Sequence, residues 1–488
     1  MRTTIAAIEQ HENFLAGRWA QPASGKYYVR YNPAHRDQEL GRFPISSIAD
    51  VQAAIEAAES ARAAWAETPG PQRGALLLRF AQLLEDSKEE LASIITLEQG
   101  KALCESRGEV GRAVVETRFM AGEASHPTGD SFPSERPGFT AYTVREPLGT
   151  IAAISPWNFP VVTPVRKIAP ALAYGNTVIC KPASLTPWCA VYLLRLLEKA
   201  GLPPGVVNLV IGPGADIGEA LVADRRIRGI TFTGSSDVGL RLYKAAAARM
   251  ASVQLELGGK NPAIVVDYDD LDGAAREIVA AAFLCSGQRC TALSRVIVVE
   301  SQAANLTEAI LSHVSRIKVG DGMLDSTTMG PLVSRSQYDT VDRYVREGVA
   351  SRCRLLTGGQ PLVGDPDREG YYFAPTVFDE VTPSSPLATE EIFGPVLPIL
   401  RVRDADEAIA VANATRYGLA AAAFTSRVDL IPKFIARLET GMVHINHGTA
   451  SQAHVPFGGR KDSGQGAFSI GPTAREFFTT VKAVYVKW

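Results

Sequence analysis

Cys290 stands in the run Gly287-Gln288-Arg289-Cys290-Thr291, beside an arginine. Positive charge near a thiol favours the thiolate, the form that attacks a carbonyl carbon. Taken singly, a cysteine in a long chain is more often a small buried apolar residue. Glu256-Leu257-Gly258-Gly259-Lys260-Asn261-Pro262 sets a carboxylate before paired glycines, where the backbone can approach a ligand closely. A glutamate there could activate water as a general base; the plainer alternative is a solvated loop glutamate. Ser155-Pro156-Trp157-Asn158-Phe159-Pro160 follows the apolar run Thr150–Ile154. Its two prolines predict a rigid, non-helical corner, and an asparagine amide fixed there is a suitable oxyanion donor. The competing reading of Asn158 is an Asx-turn residue. Phe232-Thr233-Gly234-Ser235-Ser236-Asp237-Val238-Gly239 reads as a strand-to-helix turn, with Gly234 and Gly239 suited to a pyrophosphate over backbone amides. It is not a GxGxxG, and an ordinary turn is the plainer reading.

The elements that must carry these residues alternate. Thr150–Ser155, Thr177–Lys181, Val206–Ile211 and Ile230–Phe232 read as buried strands. Ala190–Ala200, Ile217–Ala223 and Val238–Ala247 read as the helices between them. Such alternation predicts a doubly wound parallel sheet with right-handed crossovers, whose ligands sit at the carboxyl ends of the strands. A second α/β series runs from Ala263 to about Ile445, with strand candidates at Pro262–Val266, Ser294–Val299 and Leu419–Thr425. Ahead of both, Asn13 to Arg42 reads as a β-meander, and Ile48 to Ala66, Arg73 to Gly100 and Ala102 to Glu123 as amphipathic helices. Thr140–Arg145 and Phe477–Val486 alternate like strands but fit neither series. They read either as sheet edges that pair outside their own domain or as plain surface strands.

Composition narrows the function classes. The 488 residues carry a net charge of −2, with 46% hydrophobic and 21% charged residues. That is a globular balance, and the length predicts two or three domains. No Lys/Arg-rich run favours nucleic acid. The six cysteines show neither CxxC pairing nor zinc-like spacing with the seven histidines, so no metal site is expected. Scattered thiols suggest a reducing cytoplasm. Met1 to Gln10 does not read as a signal peptide, and no run of about 18 apolar residues predicts a membrane span.

The order PWNFP, KPAS, FTGS, ELGGKNP, GQRCTA, EEIFGP and PFGGRKDSG resembles the aldehyde dehydrogenase superfamily, from about Asn13 to Lys487. The resemblance implies an α/β fold with a Rossmann-like cofactor domain, a second α/β catalytic domain and a small β oligomerisation arm. Carried onto this chain, the cofactor domain takes 1–127 and 151–256, the catalytic domain 257–450, and the arm 128–150 and 451–488. It also implies roles. Cys290 forms a thioester, Glu256 activates the water that hydrolyses it, and Asn158 with the Cys290 N–H holds the oxyanion. Lys167 matches a lysine that helps relay protons in some members. NAD or NADP is the implied cofactor. Ser155, Pro156, Trp157, Lys181, Ala183, Ser184, Gly214, Gly234, Ser235, Gly239, Glu391 and Phe393 form its implied site, with Phe159, Arg166 and Phe457 facing substrate. The two stray strands correspond to an arm that pairs across a subunit interface, implying a homodimer or homotetramer.

Three departures carry information. Strict NAD members often have a glutamate where this chain has Ser184; serine does not repel a 2′-phosphate, so acceptance of NADP is expected. Arg166 replaces a tryptophan found in many members that take simple aliphatic aldehydes. A buried guanidinium suits a carboxylate, and succinic and 2-oxoglutaric semialdehyde dehydrogenases are similar to this chain at that arginine. The KPAS motif and the EFFTTVKAVYV ending also resemble the oxoglutaric type. The alternative is that Arg166 pairs with a carboxylate of the protein itself. Gly466-Ala467-Phe468-Ser469 lacks the acidic residue of many relatives, so no second carboxylate is expected in the proton relay. His447, Ser451 and His454 fall in a loop that lines the substrate mouth in relatives. Competing functions are a broad aliphatic or aromatic aldehyde dehydrogenase, an acylating coenzyme A-dependent dehydrogenase, and a non-catalytic structural relative. An intact Glu256 argues against the last two.

Overall fold

A computed structural model describes residues 9–126, 129–362 and 369–488. The expectation for Met1 to Gln10 therefore falls almost wholly outside the described residues. Two sheets dominate. The first runs Arg18–Ala20, Asn13–Leu15, Val207–Leu209, Thr177–Lys181, Thr150–Ile154, Ile227–Thr233, Ser252–Glu256, Gly464–Gln465. Its five strands from Val207–Leu209 to Ser252–Glu256 are parallel. The chain starts at Thr150–Ile154, winds one way to Val207–Leu209, then returns to Ile227–Thr233 on the other side. The strand order therefore reverses beside Thr150–Ile154, and a ligand crevice is expected at that point.

The sequence explains the layering. Every residue of Thr150–Ile154 is buried, as a strand covered on both faces requires. Ile151 and Ala153 join one core with the helix Val162–Ala173, while Ala152 and Ile154 join another with the helix Ile48–Glu67. This period of two is the strand's pleat. The second sheet repeats the pattern: Ile264 and Val266 enter one core, Ala263 and Val265 the other. Its order is Arg354–Thr357, Thr376–Asp379, Val396–Val402, Leu293–Val299, Asn261–Val265, Ala420–Phe424, Met442–Ile445.

Glu256 ends a strand of the first sheet and Asn261 begins one of the second. The carboxyl ends of the first sheet thus face the amino ends of the second, and the Cys290 loop enters this gap just before Leu293–Val299.

Two sequence boundaries need correction. The single helical stretch from Arg73 to Gly100 is two helices, Gly70–Asp86 and Lys88–Gln99, broken at Ser87. The last strand begins at Thr479, because Ala474–Phe478 is a short helix whose Phe477 and Phe478 are buried in the first core. Thr479–Lys487 pairs antiparallel with Phe139–Pro147 along its whole length, with Ser131–Phe132 on the outer edge. The two stray strands are therefore each other's partners. Gly464–Gln465, in the same C-terminal stretch, instead closes the edge of the first sheet against Leu255 and Glu256.

Candidate active site

A pocket of about 500 Å³ opens between the two sheets, and Cys290, Glu256, Asn158, Arg166, Phe159 and Phe457 all line it. Residues far apart in sequence meet because four strand ends converge there.

The Cys290 loop is held from both sides. Cys285, Ser286 and Gly287 take successive positive φ values of 52°, 58° and 71°. A Cβ on Gly287 would lie 2.2 Å from the Gly394 carbonyl oxygen, so only glycine fits. Asn261 Nδ2 donates to the carbonyls of Cys290 (2.7 Å) and Ala292 (2.8 Å), while its Oδ1 accepts from the Ala420 N–H. The asparagine of ELGGKNP thus clamps the cysteine loop, a role the sequence reading missed. The Cys290 N–H has no acceptor among the described residues. Burial pushes the Cys290 thiol up to about 11; Glu256 adds to this, and Arg166 and Arg289 oppose it.

Asn158 is buried at the end of Thr150–Ile154. Its Nδ2 donates to the Gln288 carbonyl at 3.0 Å, leaving its second N–H free. Lys101 Nζ donates to the Asn158 carbonyl at 2.6 Å and to Glu109 Oε2 at 2.8 Å, and lies 4.0 Å from the Phe159 ring centroid. The other oxygen of Glu109 accepts from Val161 and Val162, at the start of the next helix. A buried ion pair therefore fixes the Asn158 corner, and no sequence motif pointed to it.

Glu256 is tied at both oxygens. Thr233 donates to Oε2 at 3.2 Å, and Ser469 donates to Oε1. Lys167 Nζ donates to Thr233 (2.8 Å) and Thr231 (3.1 Å), completing a chain from lysine through hydroxyl to carboxylate. Burial lowers the Lys167 pKa to about 8, against the pull of Glu256. The fold thus brings the Ser469 hydroxyl, one residue beyond Phe468, onto Glu256.

Arg166 satisfies the alternative weighed from sequence: it holds a protein carboxylate. Its Nε and Nη2 bond Glu116 at 3.1 and 2.8 Å, and its guanidinium lies 4.8 Å from the Phe457 ring centroid.

The residues expected to hold a cofactor fall along the first sheet's carboxyl edge. Ser155 Oγ is buried without a hydrogen-bond partner. Among the described residues Lys181 Nζ donates only to the Pro182 carbonyl, and burial lowers its pKa to about 8. Gly214, opening the helix Gly214–Ala223, lies against Lys181. Ser184 lends its carbonyl to the Tyr28 hydroxyl, with Ala183 beside it. Gly234 and Ser235 lead into the helix Ser236–Ala247. Gly239 lies inside that helix, where a Cβ would meet Leu257 at 2.4 Å, so packing accounts for this glycine. Across the gap, Glu391 accepts, among the described residues, only the Gly259 N–H, at 2.9 Å, and burial pushes its carboxyl up to about 7. Phe393, at φ 58°, meets Trp157 edge-to-face at 5.4 Å, with Pro156 alongside in the lining. An orphaned hydroxyl, two uncommitted buried charges and a helix start form a cradle with the polarity of a dinucleotide.

The aldehyde dehydrogenase family model matches residues 19–484. The chain belongs to the aldehyde dehydrogenase family. It is 41% identical to an alpha-ketoglutaric semialdehyde dehydrogenase of Bacillus subtilis, covering 99% of this chain and 100% of that protein. It is 40% identical to a 2,5-dioxopentanoate dehydrogenase of Saccharolobus solfataricus, covering 97% and 99%. An NADP-dependent enzyme of E. coli superposes with a TM-score of 0.95 at 33% identity, covering 98% of both chains. An NAD-dependent aldehyde dehydrogenase of Sinorhizobium meliloti gives the same TM-score at 35% identity, covering 98% and 95%. The protein is thus an NAD(P)-dependent aldehyde dehydrogenase. No helix among the described residues is long and apolar enough to cross a membrane.

Proposed function

We propose that this enzyme oxidises a carboxylate-bearing semialdehyde, of the 2-oxoglutaric or succinic type, to the acid through a thioester on Cys290. The convergence of Cys290, Glu256, Asn158 and Arg166 on one pocket carries the reading, and the semialdehyde relatives support its substrate. The Cys290 thiol gives its proton to Glu256, which releases it to solvent before acting again, and the thiolate attacks the aldehyde carbon. The oxyanion that forms meets the free Cys290 N–H and the spare N–H of Asn158, two preorganised donors. Bound NAD or NADP, held by Glu391 and Phe393 at its nicotinamide end, would supply the hydride acceptor that leaves the acyl group as a thioester on Cys290. Glu256, oriented by Thr233 and Ser469, takes a proton from water, and the hydroxide displaces the cysteine. Lys167, at the far end of the hydroxyl chain, takes that proton through Thr233 when it is in its neutral form and releases it onward.

For the cofactor, Lys181 and Ser184 would face the adenine ribose and its 2′-phosphate, with Ala183 and Gly214 beside them. Ser155, Pro156, Trp157, Gly234 and Ser235 would cover the pyrophosphate, and Glu391 and Phe393 would hold the nicotinamide ribose. The chain divides into a cofactor domain (1–127 and 151–256), a catalytic domain (257–450) and an arm (128–150 and 451–488), the last segment also lending Gly464–Gln465 to the first sheet and Phe457 and Ser469 to the pocket region. The arm strand exposes Val481 at 57% and Tyr485 at 77%. Such a face suits a second copy, in a homodimer or homotetramer. Six free thiols suit a cytoplasmic site.

A broad-specificity dehydrogenase has one observation in its favour: Glu116 already occupies two donors of Arg166. Initial rates with 2-oxoglutaric semialdehyde, succinic semialdehyde and propanal separate the readings. A carboxylated substrate should have the higher kcat/KM by at least about tenfold, or about 1.4 kcal/mol. In Arg166→Ala, KM should rise far more for the semialdehyde than for propanal. Equal values for the three aldehydes would refute the proposal.

A further inference from the structure

We propose that Arg112 is a second specificity-determining cation, supplying the net positive charge that holds the far carboxylate of the substrate. This rests on the semialdehyde reading. Arg166 and Glu116 form a one-to-one pair, 10% and 2% exposed in their side chains. A neutral pair attracts an anion weakly. Arg112 changes the sum: from the same helix as Glu116, it donates its Nε to Glu116 Oε1 at 2.7 Å. Two guanidiniums then share one carboxylate, and the cluster keeps one positive charge.

Of the other charges at this end, Lys101 is paired with Glu109, Arg289 donates to Thr291 and to the Thr449 carbonyl, and Glu256 lies on the Cys290 side of Arg166. Both Arg112 and Arg166 line the pocket that holds Cys290. Their side chains are 23% and 10% exposed, so water screens the charge only in part. Donors remain. Arg166 Nη1 has no hydrogen-bond partner among the described residues, and Arg112 Nη2 has only a long 3.5 Å contact with Ser451 Oγ. One donor from each guanidinium would give a carboxylate two charge-assisted bonds. Arg112 Nη1 also donates to the Ser451 carbonyl at 2.9 Å, holding the guanidinium at the pocket rim.

The same bonds allow a purely structural role, tying the helix Leu103–Glu123 to the loop. The test must divide charge from tether. Steady-state kinetics of the parent, Arg112→Leu, Arg112→Gln and Arg112→Lys would be measured with 2-oxoglutaric semialdehyde and with propanal. The observable is the ratio of the two kcat/KM values. Arg112→Leu and Arg112→Gln should each cut that ratio about tenfold or more, through KM, the size of one lost charged hydrogen bond. Arg112→Lys keeps the charge without the double tether and should hold the ratio within about threefold. If Arg112→Leu does not fold, Arg112→Gln carries the comparison. A parent that prefers the semialdehyde, with variants that lose both activities equally, overturns the role of Arg112 alone. So does a lysine variant as poor as the leucine one. A parent without the preference removes the substrate reading and this inference together.

Discussion

Replacing Lys101 by methionine would remove the cation that fixes the Asn158 corner. Both members of the Lys101–Glu109 pair have fully buried side chains. Breaking a buried pair by deleting one partner typically costs about 3–5 kcal/mol, because the other charge is stranded. Glu109 would keep its bonds from Val161 and Val162, so the lower end, about 3 kcal/mol, is expected. The Asn158 carbonyl would lose its 2.6 Å donor, and the oxyanion amide on that residue its fixed position. A misplacement of that kind can lower kcat by about tenfold to a hundredfold. Adding Glu109→Gln neutralises the stranded charge while an amide oxygen still accepts from Val161 and Val162. The double variant should regain about 2 kcal/mol, a coupling typical of contacting residues, while kcat stays low. Urea denaturation and steady-state kinetics on the four proteins complete the cycle. A single variant within about 1 kcal/mol of the parent would refute the energetic argument. A double variant with full kcat would refute the positioning argument.

Two further outcomes follow from buried lysines. Lys167 has a folded pKa near 8, below the roughly 10.4 of an unfolded chain. Between these values the unfolded chain binds more protons, so this group makes stability rise with pH. Lys167→Met should therefore be stabilised relative to the parent by up to about 3 kcal/mol at pH 7, a gain that vanishes near pH 11; a pH-independent difference would contradict the assignment. At the cofactor site, Ser184→Glu should cut kcat/KM for NADP at least about tenfold while NAD is retained, and Lys181→Ala should affect NADP more than NAD. A parent favouring NAD by more than about a hundredfold would contradict the role given to Ser184 and Lys181.

The sequence carried the alternation that makes the first sheet. Thr177–Lys181 matched to the residue, because fully buried parallel strands read as unbroken apolar runs. The proposed catalytic trio was legible only as a set, since Cys290 and Asn158 sit in loops and Glu256 at a strand end, where each isolated signal favours a plainer reading. What stayed hidden was long-range. Lys101 meets Asn158 across 57 positions, and Ser469 meets Glu256 across 213. Neither pairing leaves a local pattern, because a serine in a glycine-rich turn carries no sign of a partner so far away in sequence. Arg166 shows the same limit: its type announced a carboxylate partner, but only the fold supplied Glu116 and, behind it, Arg112.

The proposed reaction turns on a thioester on Cys290 that Glu256 releases. Rapid mixing of Glu256→Gln with NAD and 2-oxoglutaric semialdehyde, followed by acid quench and intact-mass measurement, tests it most directly. A burst of about one reduced nicotinamide per active site, then slow turnover, is expected. The acyl mass should map to the peptide carrying Cys290. Full steady-state turnover without a burst, or an acyl group on any other residue, would contradict it.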